Sequence, residues 1–134
     1  MKLLQVRETK FRLVGGYAVK AFGCLRNTVD IDVWIAATPL NQTRVIEAIR
    51  EFGFGTVRLD VLDATDAMLR MGHPPLRIEV LKQLSGVEFD GRWERRVEIP
   101  LEDLVIPMIS LADLKANKSA AGRAKDMADL SNLP

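Results

Sequence analysis

The sequence predicts an α/β (α+β) fold in which a mixed β-sheet is flanked by helices. Short apolar runs rich in β-branched residues alternate along the chain with stretches of helical periodicity, and the connections between them vary in length. Hydrophobic residues make up 48% of the chain and charged residues 28%, which is typical of a globular protein. Because 134 residues are enough for one core and short for two, we expect a single domain over residues 1–134.

The first half of the chain predicts, in order, a helix over residues 1–8, a strand over Phe11–Val14, a helix over residues 17–22, a strand over Asp30–Ile35 and a helix over residues 38–52. Gly15 and Gly16 end the first strand, because a glycine pair readily makes a tight turn. Thr38 and Pro39 supply an N-cap and a first-turn proline for the third helix, and Gly53 supplies its C-terminal stop.

The second half predicts, in order, a short helix over residues 63–69, a strand over Leu76–Leu81, a short helix over residues 86–95, strands over Val97–Ile99 and Leu104–Met108, and helices over Leu111–Ala121 and Arg123–Leu130. Gly72 and the pair Pro74-Pro75 separate the first of these helices from the strand that follows. Ser110 is the N-cap of the helix that begins at Leu111, and Gly122 divides the last two helices.

Asp30 and Asp32 are two acidic residues on one predicted strand. Successive side chains of a strand point to opposite faces, so the two carboxylates share a face roughly 6–7 Å apart, while Ile31 lies on the other. Two charges on an otherwise apolar strand are costly to desolvate unless they meet a cation, a donor or water. Magnesium would serve, since it accepts one or two carboxylates and completes its coordination with waters and phosphates. The alternative is a strand start at which both carboxylates are solvated.

Glu79 is a third acid on a predicted strand. Three acids from two strands would converge on metal ions that neutralise a triphosphate and activate an attacking hydroxyl. The alternative for Glu79 is a salt bridge to a neighbour such as Arg77 or Arg12. The turn at Gly15 and Gly16 precedes a helix, whose N-terminal amides can hold phosphate oxygens, and its alternative is a plain tight turn.

Three basic residues are candidate phosphate ligands. Lys118 falls on the same helical stripe as Leu111 and Leu114, so an ammonium lies where the helix otherwise faces the core. Its side chain either points at a bound phosphate or snorkels to solvent. Arg123 would extend this basic patch, and Arg26, which precedes the acids, is a further candidate whose alternative is an exposed loop position.

The overall charge and the rare residue types argue against several classes of chemistry. A formal net charge of +1 does not demand a nucleic-acid partner. The chain has one histidine, His73, and one cysteine, Cys24. These are too few for a typical zinc site and make Ser-His-Asp or Cys-His catalysis a poor fit. No segment reaches the ~18 consecutive apolar residues of a membrane span, and the N-terminus turns charged too early for a signal peptide. We therefore expect a cytoplasmic protein without a membrane partner.

A combination of motifs carries a family resemblance; these are Gly15-Gly16-Tyr17-Ala18-Val19, Arg26-Asn27-Thr28-Val29-Asp30-Ile31-Asp32, Arg77-Ile78-Glu79, Ser110-Leu111-Ala112-Asp113-Leu114 and the stretch Asn117–Leu130. In this order they resemble small bacterial nucleotidyltransferases of the polymerase-β-like superfamily, close to the AbiEii-type proteins of toxin–antitoxin and abortive-infection systems. The resemblance runs from about Phe11 to the C-terminus.

This resemblance implies the nucleotidyltransferase fold and the transfer of a nucleotidyl group from a nucleoside triphosphate to a hydroxyl of an acceptor, transfer RNA or a protein, with release of pyrophosphate. It implies Mg²⁺, with Mn²⁺ as the alternative ion, and a cognate toxin or antitoxin as a partner. By position, it assigns the phosphate-binding turn to Gly15 and Gly16, the metal-binding pair to Asp30 and Asp32, the third acid to Glu79 and a phosphate-side lysine to Lys118.

Two positions depart from the family pattern. Tyr17 stands where many members have serine, which removes a small hydroxyl donor, and Glu79 replaces the more usual aspartate. The first hypothesis is a magnesium-dependent nucleotidyltransferase that uses Asp30, Asp32 and Glu79 for the metal and Lys118 with Arg123 to neutralise phosphate charge. The second is a catalytically weak or inactive nucleotide-binding module that acts through a partner protein, which the two departures favour.

Overall fold

The structure is a computed structural model that describes residues 2–23, 30–73, 76–101 and 103–134. Its strands are β1 (Phe11–Val14), β2 (Asp30–Ile35), β3 (Met68–His73), β4 (Leu76–Leu81), β5 (Val97–Leu101) and β6 (Leu104–Met108). Its helices are α1 (Lys2–Val6), α2 (Gly15–Ala21), α3 (Pro39–Phe52), α4 (Phe89–Arg92), α5 (Leu111–Ala121) and α6 (Ala124–Asn132), with a 3₁₀ helix over Trp93–Arg95.

The six strands form one mixed sheet in the order β3-β4-β2-β1-β6-β5. The pairs β1/β2, β3/β4 and β5/β6 are antiparallel, whereas β2/β4 and β1/β6 are parallel. The parallel pairs join strands that are distant in sequence, and helical segments supply the crossovers. The predicted mixed sheet flanked by helices is therefore confirmed.

Local capping signals explain where the longer helices begin and end. The Thr38 side chain accepts a hydrogen bond from the Asn41 backbone N–H at the start of α3, as an N-cap should. The helix stops at Gly53, whose φ of 135° is open to glycine and rare for other residues. Ser110 caps α5 in the same way through the Asp113 N–H, and Gly122 ends that helix in the left-handed conformation.

The helix predicted over residues 63–69 is wrong. The structure has turns there, and β3 begins at Met68 and pairs along its length with β4. Residues such as Met68 and Leu69 have high helix propensity, but six register pairs with a neighbouring strand outweigh that preference. β3 is an edge strand, so its pattern is not the apolar run of a buried strand.

The two faces of the sheet have different surroundings. Ile31 and Val33 of β2 point to one face, where α1 and α3 cover them with apolar side chains such as Ile49. The opposite face carries Asp32 and Trp34 of the same strand, and there Trp34 packs edge-to-face on Phe89, with ring centroids 5.1 Å apart. The charged face of β2 is thus the one that remains available for a site.

Among the residues that the structure describes, no helix combines the length and the apolar character that a membrane crossing requires.

Candidate functional site

Three carboxylates meet on the sheet where β2 and β4 run side by side. The parallel register places Asp32 directly opposite Glu79, and Asp30 precedes Asp32 by two residues on the same face. One carboxylate oxygen from each residue lies within 4.8 Å of the others. The structure therefore brings together the three acids that the sequence singles out, although β2 and β4 are separated by more than forty residues along the chain.

The glycine turn lies against the central carboxylate. β1 and β2 pair so that Val14 is opposite Asp32, and α2 starts immediately afterwards at Gly15 with a φ of +68°. A Cβ placed on Gly15 would lie 2.1 Å from Asp32 Oδ2, so no other residue fits beside this carboxylate without displacing it. Gly16 is buried in the first turn of α2 and lines the same cleft.

Asp32 is the most perturbed of the three acids. Burial, reinforced by the neighbouring charges of Glu79 and Asp30, raises the pKa of Asp32 to about 6. Its Oδ1 atom is buried and has no hydrogen-bond partner among the described residues. A buried carboxylate oxygen without a donor is costly, and a cation beside it would remove that cost.

Two arginines neutralise the outer carboxylates. The Arg77 guanidinium donates to both oxygens of Asp30, at 2.7 and 3.0 Å, and this hydrogen bonding lowers the pKa of Asp30. Arg70 of β3 donates to Glu79 Oε1 at 2.7 Å, because Arg70 and Glu79 are register partners. The alternative for Glu79, a salt bridge to a neighbouring arginine, is therefore present, with Arg70 as the partner rather than Arg77 or Arg12.

Sequence reasoning missed Arg70 and Arg77 as site residues. Arg77 had a usable signal, because it precedes Glu79 by two residues on one strand and so shares its face. Arg70 had none, since it lies at the edge strand that the local pattern did not reveal.

Lys118 lines the same cleft, but its charge is already balanced. Its Nζ lies 3.2 Å from Asp126 Oδ1 and 3.1 Å from Asp129 Oδ2, and the side chain is only 5% exposed. The ammonium therefore does not snorkel to solvent. It joins α5 to α6 through two carboxylates, and whether it also meets a phosphate stays a prediction.

Arg123 stands at the start of α6 and shares one partner with Lys118. Its Nε donates to Asp126 Oδ2 at 2.6 Å, and its backbone N–H donates to the same oxygen at 3.2 Å. Burial opposes the ionisation of Asp126, but hydrogen bonds from Arg123 and Lys118 outweigh it and hold the pKa of Asp126 at about 2. The Arg123 side chain is 64% exposed and lines the cleft. Arg26, the remaining predicted phosphate ligand, lies outside the described residues.

These groups line one open cleft of about 560 Å³, which is within the usual range for a small-molecule site. Five basic side chains surround the three carboxylates; these are Arg70, Arg77, Lys118, Arg123 and Lys125. The carboxylates suit a hard divalent cation, for which three oxygen donors on adjacent strands and the unpartnered Oδ1 of Asp32 are an appropriate donor set. The surplus of basic groups suits a polyanion that binds with the cation.

Solved structures share this fold. The lincosamide antibiotic adenylyltransferase LnuA, in its lincomycin-bound crystal structure, superposes with a TM-score of 0.62 at 17% identity, covering 98% of this chain and 89% of LnuA. A candidate nucleotidyltransferase of Thermotoga maritima, TM1012, superposes with a TM-score of 0.65 at 14% identity, covering 97% of this chain and 87% of that one. At these identities the likeness shows a common fold, and the predicted nucleotidyltransferase fold is confirmed.

No protein-family model matches the sequence, and no curated protein matches it.

Proposed function

We propose that this chain is a nucleotidyltransferase that moves a nucleoside monophosphate from a nucleoside triphosphate to an acceptor hydroxyl. The observation that carries the proposal is the meeting of Asp30, Asp32 and Glu79 beside a glycine turn that leaves no room for a side chain. The fold shared with LnuA and TM1012 supports it, because LnuA is an adenylyltransferase and TM1012 is a candidate nucleotidyltransferase. The basic surplus of the cleft supports a triphosphate in the same place.

The reaction joins the acceptor hydroxyl oxygen to the α-phosphorus and breaks the bond between that phosphorus and the oxygen bridging to the β-phosphate. Pyrophosphate leaves with the electron pair of the broken bond, and the hydroxyl proton passes to Glu79. A divalent cation, Mg²⁺ or Mn²⁺, held by Asp30, Asp32 and Glu79 would neutralise the triphosphate and favour ionisation of the hydroxyl. Catalysis of this kind is mainly positioning and electrostatic stabilisation.

Residues around the acids position the triphosphate in this proposal. Gly15 and Gly16 allow phosphate oxygens to approach the backbone at the start of α2. Arg123 reaches the cleft with a largely exposed guanidinium, and Arg26 is proposed for the same purpose from the sequence. Lys118 is proposed to contribute positive charge from beneath the cleft, where Asp126 and Asp129 fix its position.

A second candidate is a nucleotide-binding module that is catalytically weak or inactive and acts through a partner protein. The observation that favours it is the engagement of Asp30 by Arg77 and of Glu79 by Arg70, because a metal ion must compete with both guanidinium groups for these carboxylates. An AbiEii-like identity and a cognate toxin or antitoxin partner also stay proposals that rest on the sequence resemblance. A cytoplasmic location stays a proposal that rests on the composition of the sequence.

The test uses nucleoside triphosphates labelled at either the α- or the γ-phosphate, Mg²⁺, and a mixture of small molecules, RNA and protein as acceptors. We expect the α-label to join an acceptor and the γ-label to leave as pyrophosphate, which distinguishes nucleotidyl from phosphoryl transfer. The double variant Asp30→Asn, Asp32→Asn should lose transfer, whereas Asp60→Asn, Asp103→Asn, with the same change in charge on exposed residues, should keep it. Transfer by the first variant would contradict the metal assignment, and triphosphate binding without transfer would favour the second candidate.

A further inference from the structure

A second pocket, of about 920 Å³, adjoins the carboxylate cleft. The two cavities are neighbours, because they share five lining residues, Met68, Leu81, Gln83, Leu84 and Ser85. Trp34 lies at this second pocket and follows Asp32 by two residues, so both side chains belong to the same face of β2. A molecule in the pocket would therefore lie next to the three carboxylates, on the side of the sheet where β2 and β4 end.

The charge of this pocket is opposite to that of the cleft. Its acidic lining residues are Asp66, Glu88 and Asp90, and Lys82 is the one basic residue among the described lining residues. Lys82 Nζ donates to the backbone oxygens of Leu62 and Ala64, at 2.7 and 2.9 Å, so its ammonium is already held. The cleft attracts polyanions and the adjoining pocket attracts cations.

Trp34 supplies an unused donor at this pocket. The residue is only 1% exposed, and its Nε1 is buried without a hydrogen-bond partner among the described residues. Buried indole N–H groups normally find an acceptor, so this donor is open to an oxygen acceptor that the described residues do not supply.

We propose that this pocket receives the acceptor of the transfer reaction, and that the acceptor is a small, positively charged polyhydroxyl compound such as an amino sugar. The inference rests on the proposed function. The ammonium groups of the acceptor lie toward Asp66, Glu88 and Asp90, while one of its hydroxyls faces Glu79 and the α-phosphorus. That hydroxyl forms the new bond to phosphorus, loses its proton to Glu79 and displaces pyrophosphate.

This chemistry disfavours the transfer RNA that the sequence resemblance implies as acceptor. An RNA strand leading into the pocket would bring phosphates against Asp66, Glu88 and Asp90, where like charges repel. RNA thus becomes the competing outcome of the experiment.

Binding can be measured without any reaction, through the intrinsic fluorescence of Trp34. The chain has two tryptophans, so Trp93→Phe leaves Trp34 as the single reporter, and circular dichroism verifies that this variant folds. The probes are the disaccharide of glucosamine, with two ammonium groups, and its neutral diacetylated counterpart. We expect the dissociation constant obtained from the fluorescence change to be at least tenfold lower for the cationic disaccharide than for the neutral one. The affinity of the cationic disaccharide should fall as salt is added. Equal affinities of the two probes, or no response to either, would overturn the inference.

Charge variants test the same point in the same Trp93→Phe background. Asp66→Asn, Asp90→Asn should weaken binding of the cationic disaccharide about tenfold, because each carboxylate contributes a solvent-screened ion pair. The control Asp60→Asn, Asp103→Asn removes the same charge outside the pocket and should change the affinity less than twofold. Similar losses in both variants would contradict a specific pocket.

Transfer assays separate this inference from the proposed function. Transfer of the α-label to the cationic disaccharide, reduced in Asp66→Asn, Asp90→Asn, supports both. Transfer to RNA or protein alone, or binding of the disaccharide without its labelling, overturns the acceptor assignment. If the label is transferred only to RNA or protein, the proposed nucleotidyltransferase activity still holds. If the unmodified protein neither transfers the label nor binds the triphosphate, the proposed function itself is refuted.

Discussion

Replacing Asp32 by asparagine should stabilise the protein in the absence of metal. The pKa of Asp32 is raised from 3.8 to about 6 by burial beside two other carboxylates, so its ionised form is disfavoured in the folded state. A shift of about two units corresponds to about 3 kcal/mol at neutral pH. For a domain of this size, that figure corresponds to an increase in Tm on the order of 10 °C. Asparagine keeps the shape of aspartate and removes the charge, so most of this penalty should disappear.

The sign of the effect depends on pH in a defined way. A carboxyl whose pKa is raised on folding binds more protons when folded, so the stability of the unmodified protein should fall as pH rises from about 4 to about 6 and then level off. The Asp32→Asn variant lacks this fall. The stability difference should therefore be small near pH 4 and largest above pH 7.

The assay is urea unfolding with a chelator at pH 4.5, 6 and 7.5, with Asp103→Asn as an exposed control that should change little. Adding Mn²⁺ should stabilise the unmodified protein and leave Asp32→Asn almost unchanged, since ligand binding to the folded state adds stability. A variant that is less stable than the unmodified protein at pH 7.5 with chelator, or a difference independent of pH, would refute this reasoning about Asp32.

Three further predictions concern the surroundings of the acids. Arg70→Gln and Arg77→Gln should each bind Mn²⁺ alone about tenfold more tightly, because one guanidinium fewer competes for the carboxylates. Each variant should bind the triphosphate more weakly, because the cleft has lost a positive charge. Weaker Mn²⁺ binding in calorimetry would contradict the competition between arginine and metal. Gly15→Ala should lower the free energy of unfolding by about 3 kcal/mol and abolish Mn²⁺ binding. The control Gly53→Ala, also at positive φ but with open space around it, should lower the free energy of unfolding by about 1 kcal/mol. Equal losses in the two variants would argue against the contact between Gly15 and Asp32. Asp126→Asn should be about 2 kcal/mol less stable than the unmodified protein at neutral pH, because a carboxyl with a lowered pKa stabilises the fold above pH ~4. This stabilisation is lost as pH falls through about 2. A difference in stability that persists at pH 2 would show that it does not come from the ionisation of Asp126.

The parts of the site that the sequence predicts are those with short-range signals. Asp30 and Asp32 share a strand, and the alternation of strand side chains is enough to place them on one face. The turn at Gly15 and Gly16 is predicted by composition alone. Bringing Glu79 next to them depends on the parallel pairing of β2 with β4, which no local pattern specifies, so here the family resemblance supplied what periodicity lacked.

The parts that the sequence did not predict depend on contacts between distant segments. The helix predicted over residues 63–69 ran into the start of β3 because Met68 and Leu69 favour helix, and only the pairing of β3 with β4 makes these residues a strand. The sequence correctly predicts that Lys118 lies on the core side of α5. Its partners Asp126 and Asp129 belong to α6, so these ion pairs depend on how the two helices pack, which no local pattern specifies. The orphaned Nε1 of Trp34 is a property of packing alone.

The most direct test of the central claim is a crystal of this chain soaked with Mn²⁺ and a non-hydrolysable nucleoside triphosphate, with anomalous diffraction recorded at the manganese edge. We expect an anomalous peak bridging the carboxylates of Asp30, Asp32 and Glu79, with Arg77 moved from Asp30 toward the triphosphate. Triphosphate density in the cleft without any anomalous peak at these three carboxylates would contradict the metal site and the proposed reaction with it.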